Sequence, residues 1–284
     1  MSNLALVNAA PAQQPIARNL IAIASGKGGV GKTWAAATLS QALSFSGRRM
    51  LLIDGDLGLA NVDVQLGLQP GSDLADAISG RKAFADAVTP VAGGAGAKGG
   101  FDILAGRSGS AVLHQLNPAE WARLMRGISA LAGFYDVAIL DLGAGADALV
   151  LNLAQAAQTI LIVLTDEPTS LTDAYALIKR LAQHGRVKGI ELLINMAADH
   201  QYGRRTAEAL NRAARGFLNL ELPVAGIIRR DPKVREAIRR QAPFMARFPQ
   251  SPAAADVSAL SDYLIRAQGL APAPASPKIQ GTWR

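Results

Sequence analysis

Ala24-Ser-Gly-Lys-Gly-Gly-Val-Gly-Lys-Thr33 decides the reading of this chain. From Gly26 to Thr33 it fits the pattern G-x-x-x-x-G-K-[ST]. An apolar run, Leu20-Ile-Ala-Ile23, precedes it, and a helix-forming run, Trp34-Ala-Ala-Ala-Thr-Leu-Ser-Gln-Ala-Leu43, follows. Strand, glycine loop and helix in that order make a phosphate cradle, because small residues let backbone N–H groups turn inward and the helix N-terminus adds its positive dipole end. The cradle runs from Gly26 through Lys27, Gly28, Gly29, Val30, Gly31, Lys32 and Thr33 to Trp34. Lys32 is expected to reach the β- and γ-phosphates of a nucleotide, and Thr33 to hold Mg²⁺.

Lys27 is the unusual residue, since the ordinary loop needs no lysine at its second position. Two readings stand for it: a solvated loop lysine, or a cation delivered to another subunit's nucleotide.

Outward from the loop, apolar runs of strand length alternate with longer amphipathic runs. The strand candidates are 20–24, 49–53, 101–104, 137–140, 159–164, 191–194 and 224–228. Between them, 171–181 carries apolar residues at 171, 174, 177, 178 and 181, a helical spacing. Such alternation predicts an α/β fold: a three-layer sandwich with a mostly parallel twisted sheet covered by helices on both faces. Ligands in such sheets bind at the carboxyl ends of the strands, where the loop lies. Residues 90–100 (P-V-A-G-G-A-G-A-K-G-G) form a second glycine-rich stretch, with no lysine–hydroxyl pair and no following helix. It reads as a flexible surface turn before a strand. The expected organisation is a flexible segment over 1–18, one domain over 19–268 and a Pro/Ala-rich disordered tail over 269–284.

Composition narrows the function classes. With no cysteine among 284 residues, thiolate-held iron–sulfur clusters, Cys-based zinc sites and disulfides are excluded. His114, His184 and His200 lack metal-ligand spacing. No run approaches the ~20 apolar residues of a membrane span. Residues 1–18 have no basic region followed by a long apolar stretch, so a cytoplasmic protein is expected. Residues 179–240 hold fourteen Lys and Arg against six Asp and Glu, an excess of eight positive charges against a net charge of +7 for the whole chain, so the remainder is near neutral. Solvated helix faces are the bland reading; a surface for an acidic protein, anionic lipid or nucleic acid is the other.

Two acidic positions suit a Mg-nucleotide site. Leu51-Leu-Ile-Asp54-Gly-Asp56 ends a strand with carboxylates at i and i+2, on one side of an extended segment. Val137-Ala-Ile-Leu-Asp141 is an apolar strand ending in one carboxylate, the Walker-B arrangement, in which the Asp orders Mg²⁺. Singly, either is as well read as a strand-end turn residue; beside a phosphate loop, both read as metal-site residues. Phosphoryl transfer needs positioning, charge neutralisation and an oriented water. Asp56 is the candidate to orient that water, and Lys27 to stabilise charge on the transferred group.

These segments resemble the MinD/ParA ATPases. Lys27-Gly-Gly-Val-Gly-Lys-Thr33 is similar to their deviant Walker A, Asp54-Gly-Asp-Leu-Gly-Leu-Ala-Asn-Val-Asp63 to switch I, and Asp141-Leu-Gly-Ala-Gly145 to switch II. The flagellar-number-regulator branch (FlhG/FleN) resembles this chain further, in 166–179, Asn195-Met-Ala197 and 231–243. The resemblance spans roughly 19–267 and implies an ATP-driven dimerisation switch, binding ATP and ADP with Mg²⁺, that regulates flagellar number or placement. Two protomers would enclose two ATP molecules, each Lys27 crossing to its partner. Asn195 matches the adenine-contacting position; on residues alone it is a strand-end turn asparagine. Implied partners are a second copy, a signal-recognition-type flagellar GTPase and a flagellar transcription activator.

Two departures accompany the resemblance. Residues 1–18 lack the Asp-Gln-Ala-type motif that activates the partner GTPase in some members. Many members also bind the inner face of the membrane through a C-terminal amphipathic helix. Here Val257, Leu260, Leu264 and Ile265 make an apolar face, but the polar side carries Asp256 and Asp262 with Arg266, unlike a lipid-seeking lysine-rich face. Packing on the domain is the expectation, with peripheral membrane binding the minority reading. The alternative function is a partition ATPase binding DNA through the basic 179–240 region. An iron–sulfur carrier conflicts with the absent cysteines, and an autophosphorylating tyrosine kinase with a tail lacking tyrosine beyond Gly269.

Overall fold

The structure, a computed structural model, describes residues 17–106 and 116–270. The expectations for residues 1–16, for His114 and for the tail from 271 onward lie outside the described residues; at the inner ends of the two segments expected to be loose, Ala17 and Arg18 instead begin the first strand, and Leu270 is buried with its carbonyl accepting from Arg48. Helices flank both faces of one eight-stranded sheet among the described residues, in the order β3-β4-β2-β5-β1-β6-β7-β8. The strands are β1 (Ala17–Ser25), β2 (Met50–Gly55), β3 (Val88–Val91), β4 (Phe101–Leu104), β5 (Val137–Ala144), β6 (Ala157–Leu164), β7 (Ile190–Ala197) and β8 (Val224–Arg229). All pair in parallel except β3, which runs antiparallel to β4 at one edge.

β1 shows why these runs are apolar throughout. Leu20, Ala22 and Ala24 pack into the core on one face, Ile21 and Ile23 into the core on the other, and all five are fully buried. A strand covered on both sides has no polar face to display. One layer holds α3 (Leu74–Ser79), α4 (Pro118–Ala132), α5 (Ala148–Gln155), α6 (Pro168–Gln183) and α7 (His200–Leu218); the other holds α1 (Lys32–Phe45), α2 (Val62–Leu66), α8 (Pro232–Arg239), α9 (Phe244–Arg247) and α10 (Pro252–Gln268). The three-layer sandwich is as expected.

In α6, Ala174, Leu177, Ile178 and Leu181 are buried, the stripe its spacing predicts. Val257, Leu260 and Leu264 of α10 are buried against β8 and α1, so this face packs on the domain. No helix of the described residues is long and apolar enough to cross a membrane.

Two readings need correction. Residues 90–100 are not simply a turn before a strand: Pro90 and Val91 belong to β3, paired with Asp102 and Phe101. Proline is tolerated there because an edge strand has one side free of the ladder. The glycines beyond are seated on α1, where Ser44 Oγ donates to Ala97 O (3.0 Å) and Gly99 fits against the Phe45 ring. Second, β5 and β7 continue past Asp141 and Asn195, which are interior strand residues rather than strand ends.

Candidate functional site

β1 delivers the chain to the carboxyl edge of the sheet, and Gly26–Gly31 turns it into α1. Two glycines are obligatory for steric reasons. A Cβ on Gly26 would overlap the Asp173 carbonyl of α6, and one on Gly31 (φ 88°) would overlap the Asn195 side chain. Asn195 Nδ2 donates to Val30 O (2.8 Å), clamping the loop from β7. Ser25 Oγ donates to Lys27 O at 2.8 Å. The loop is thereby held by its neighbours with its amides free to converge. The first N–H groups of α1, at Lys32, Thr33 and Trp34, have no carbonyl one turn back to receive them, which is what an anion requires.

Sequence neighbours in this loop part company in space. Lys32 is buried, and its ammonium and the Thr33 hydroxyl both act to hold down the pKa of the neighbouring Asp141. The Trp34 side chain turns away from the phosphate cradle. It is buried in the opposite core, edge-on to Phe244 with ring centroids 5.2 Å apart. A binding role for Trp34 would therefore fall to its main-chain N–H rather than its side chain.

Asp54 and Asp141 are register partners on the adjacent strands β2 and β5, each about 1% exposed. Burial pushes the Asp54 carboxyl up to about 7, with the neighbouring Asp141 charge adding to the rise. Burial likewise raises Asp141 to about 6, opposed by Lys32 and Thr33. Asp54 Oδ1 accepts from Asp56 N, and Oδ2 from Asn61 N and Val62 N, so it also pins the start of α2. Asp141 Oδ1 is buried without a partner. Two neighbouring buried carboxyls with one orphaned oxygen fit a bound cation. Among the described residues no cluster of three or more His, Cys, Asp or Glu could hold a metal ion alone. Mg²⁺ usually takes one or two protein oxygens and completes its shell with water and phosphate.

Asp56 is half-buried; its Oδ1 accepts from Gly58 N and Leu59 N and faces Gly143 of β5. It is therefore set between the two segments that would flank a γ-phosphate. Lys27 does not enter its own loop. Its Nζ is bonded to Glu167 Oε2 (2.5 Å) and Thr169 Oγ1 (2.8 Å) at the start of α6. The Lys27 ammonium in turn lowers the pKa of the exposed Glu167 carboxyl. Glu167 and Thr169 lie within the 166–179 segment that carries the family resemblance, but the sequence assigns neither an individual role.

His184 and His200 are helix-terminal residues. The ring of His184 contacts Arg180 O (2.9 Å), and that of His200 contacts Asp256 Oδ1 (2.9 Å).

With this geometry in hand, residues 21–244 match the CobQ/CobB/MinD/ParA nucleotide binding domain family. The chain belongs to the MinD/ParA family of ATPases. Antiactivator FleN of Pseudomonas aeruginosa is 39% identical over 259 residues, covering 91% of this chain and 89% of that protein. Flagellum site-determining protein YlxH of Helicobacter pylori is 30% identical over 222 residues, covering 78% and 73% respectively. The septum site-determining protein MinD of Pyrococcus horikoshii, solved with Mg-ADP, superposes with a TM-score of 0.72 at 25% identity, covering 89% of this chain and 98% of that one. As a member of this family the chain is an ATPase whose ligands are ATP and ADP with Mg²⁺.

When bound, Mg²⁺ would supply charge neutralisation for the phosphate oxygens of the nucleotide. Residues 26–34 would bind those oxygens through backbone N–H groups, Lys32 would add a buried cation, and Thr33 and Asp141 would hold the metal, Asp54 from behind. Asp56 would orient the attacking water.

Proposed function

We propose that this chain is an ATP-driven dimerisation switch that regulates flagellar number or placement. The observation that carries the switch is Lys27. It is a loop cation turned away from its own phosphate cradle and parked, about one-third exposed, on Glu167 and Thr169. A lysine so placed is available to a nucleotide approaching from a second copy. The flagellar role rests on the antiactivator FleN and the flagellum site-determining protein YlxH, and on the length over which FleN matches. An antiactivator acts against an activator, so the partner read from that relative is a flagellar transcription activator; a flagellar GTPase is the second candidate. Asn195 would meet adenine from β7 while clamping Val30.

The test is a pull-down with Asp56→Ala trapped in the ATP state. Retention of the flagellar activator or GTPase supports the reading, and retention of neither contradicts it.

DNA binding through residues 179–240 keeps one supporting observation: Arg230, Arg235 and Arg239 are exposed and form no ion pair among the described residues. Much of the remaining charge is spent within the fold. Arg215 pairs with Glu208 and Glu221, Arg229 with Asp256, and Lys233 and Arg240 with Glu236. Salt-sensitive DNA retention in the ATP state would favour the partition reading.

A further inference from the structure

In the layer that holds α1, the helices α2 and α8 lie side by side, and an apolar crevice of about 20 Å³ opens between them, with room for the tip of one side chain. Buried Trp34, Phe101 and Phe244 line it, with Leu66 of α2 on one side and Ala237 and Ile238 of α8 on the other. The two walls are fastened together. Gln241 Nε2, just past α8, donates to Val64 O of α2 (2.8 Å), and Gly67 sits so close that a Cβ there would crowd the Gln241 Cβ. A crevice held open in this way costs an incoming group little rearrangement. Two large apolar side chains beside it face water: Val64 is 56% exposed and Ile238 37%.

Charge selects the occupant. Residues 230–240 hold five Lys and Arg against two acids, Asp231 and Glu236. Both acids are engaged: Asp231 is buried and caps α8 by accepting from Lys233 N, and Glu236 pairs with Lys233 and Arg240. On α2, Asp63 accepts from Val64 N (2.8 Å). Arg235 and Arg239 are exposed and form no ion pair among the described residues. They stand one helical turn apart, with Ile238 on the same side of α8. A phosphate backbone could meet the two guanidinium groups, but it would leave Ile238 and the crevice uncovered. An acidic segment with one aliphatic side chain satisfies both. In an extended segment, carboxylates two residues apart match the spacing of the arginines, yet the residue between them points the other way. A helix presents carboxylates at i and i+4 on one face together with the residue at i+3. The geometry points to a docking site for an acidic amphipathic helix of a partner protein, its carboxylates meeting Arg235 and Arg239 and its aliphatic tip entering the crevice beside Ile238. This inference does not depend on the flagellar reading.

The test is a titration of the isotope-labelled full chain, followed by amide NMR, with an alanine-based helical peptide of about sixteen residues carrying Glu at i and i+4 and Leu at i+3. One control peptide has Lys in place of Glu, and a second has Ala in place of Leu. The acidic peptide should move the Val64, Ile238 and Ala242 amide resonances. It should bind at least about tenfold more tightly than the lysine peptide and at least about threefold more tightly than the peptide without leucine. Ile238→Asp should weaken it at least about tenfold, and so should Arg235→Glu combined with Arg239→Glu, each with ATP hydrolysis unchanged. The paired reversal lies at exposed helical positions, so it tests the site even if Ile238→Asp fails to fold, and it should make the chain prefer the lysine peptide. Equal binding of the acidic and lysine peptides, indifference to the leucine or to these substitutions, shifts confined to another face, or no binding at millimolar peptide would overturn the proposal. So would a DNA duplex of about twenty base pairs that displaces the peptide and binds Ile238→Asp undiminished, which would assign the face to nucleic acid. ATP-dependent dimerisation measured on the same variants reports separately on the switch.

Discussion

At the amino-terminal ends of the strands, Asp136 is clasped by Arg49 through side-chain contacts of 2.9 and 3.3 Å and a backbone N–H, and Tyr135 donates its hydroxyl to Asp102. At the carboxyl-terminal ends, Asp54 and Asp141 stand side by side on neighbouring strands, and one Asp141 oxygen has no partner. Both ends bury carboxyls, but only the second leaves two of them side by side with a carboxylate oxygen that has no hydrogen-bond partner. The difference separates stability from function. Charges that neutralise each other hold the sheet together, whereas charges left incomplete await a ligand that completes them.

The largest effect should come from the ligand end. Lys32→Ala is expected to weaken nucleotide binding by at least about two orders of magnitude, since a buried charge-assisted contact to phosphate is lost. Calorimetric titration with Mg-ATP checks this, and unchanged affinity would contradict the assignment of the cradle. At the other end, Asp136→Ala should lower folding stability by about 2–4 kcal/mol, because it strands the Arg49 guanidinium, and should leave nucleotide affinity alone. Denaturant unfolding read beside the same titration checks it. Equal effects on both quantities would erase the contrast between the two ends.

Asp56→Ala should slow hydrolysis by at least about tenfold while ATP stays bound, the loss of a water-orienting group. Single-turnover hydrolysis measures it, and a normal rate would remove Asp56 from that role. The pH response sharpens the same contrast. Asp54 and Asp141 are raised in the folded protein to about 7 and about 6. The native state therefore keeps protons that the unfolded chain has released from roughly pH 4 upward, and stability of the nucleotide-free protein should fall as pH rises through about 4 to 7. Mg-ADP or Asp54→Asn should flatten that slope in thermal unfolding scans; a slope unaffected by either would place its origin elsewhere. The smallest effect is expected from Glu167→Ala, which frees Lys27 from a solvent-screened ion pair and should strengthen ATP-dependent dimerisation by a few-fold at most.

How much of this was legible in the sequence follows the same division. The cradle is readable because glycines, lysine and threonine at fixed spacing between a strand and a helix leave few other structures. Strand positions are readable from apolar runs, but their ends are not: Asp141 and Asn195 interrupt the apolar pattern while the strands continue through them. β3 escapes notice because Val88-Thr-Pro-Val91 is short, carries a proline and gains its pairing from β4 rather than from its own pattern. Lys27 is conspicuous in sequence, yet its partners Glu167 and Thr169 lie some 140 residues away and become neighbours only through the fold. Trp34 shows the converse, for its position in the motif predicts a ligand contact and its side chain belongs to the core.

The most direct measurement of the central claim is the mass in solution by light scattering, with Mg²⁺ and a slowly hydrolysed ATP analogue, for the unaltered chain and for Lys27→Ala. The account predicts a dimer for the first and a monomer that still binds the analogue for the second. A monomer for both under saturating analogue, or an undiminished dimer for Lys27→Ala, would contradict it.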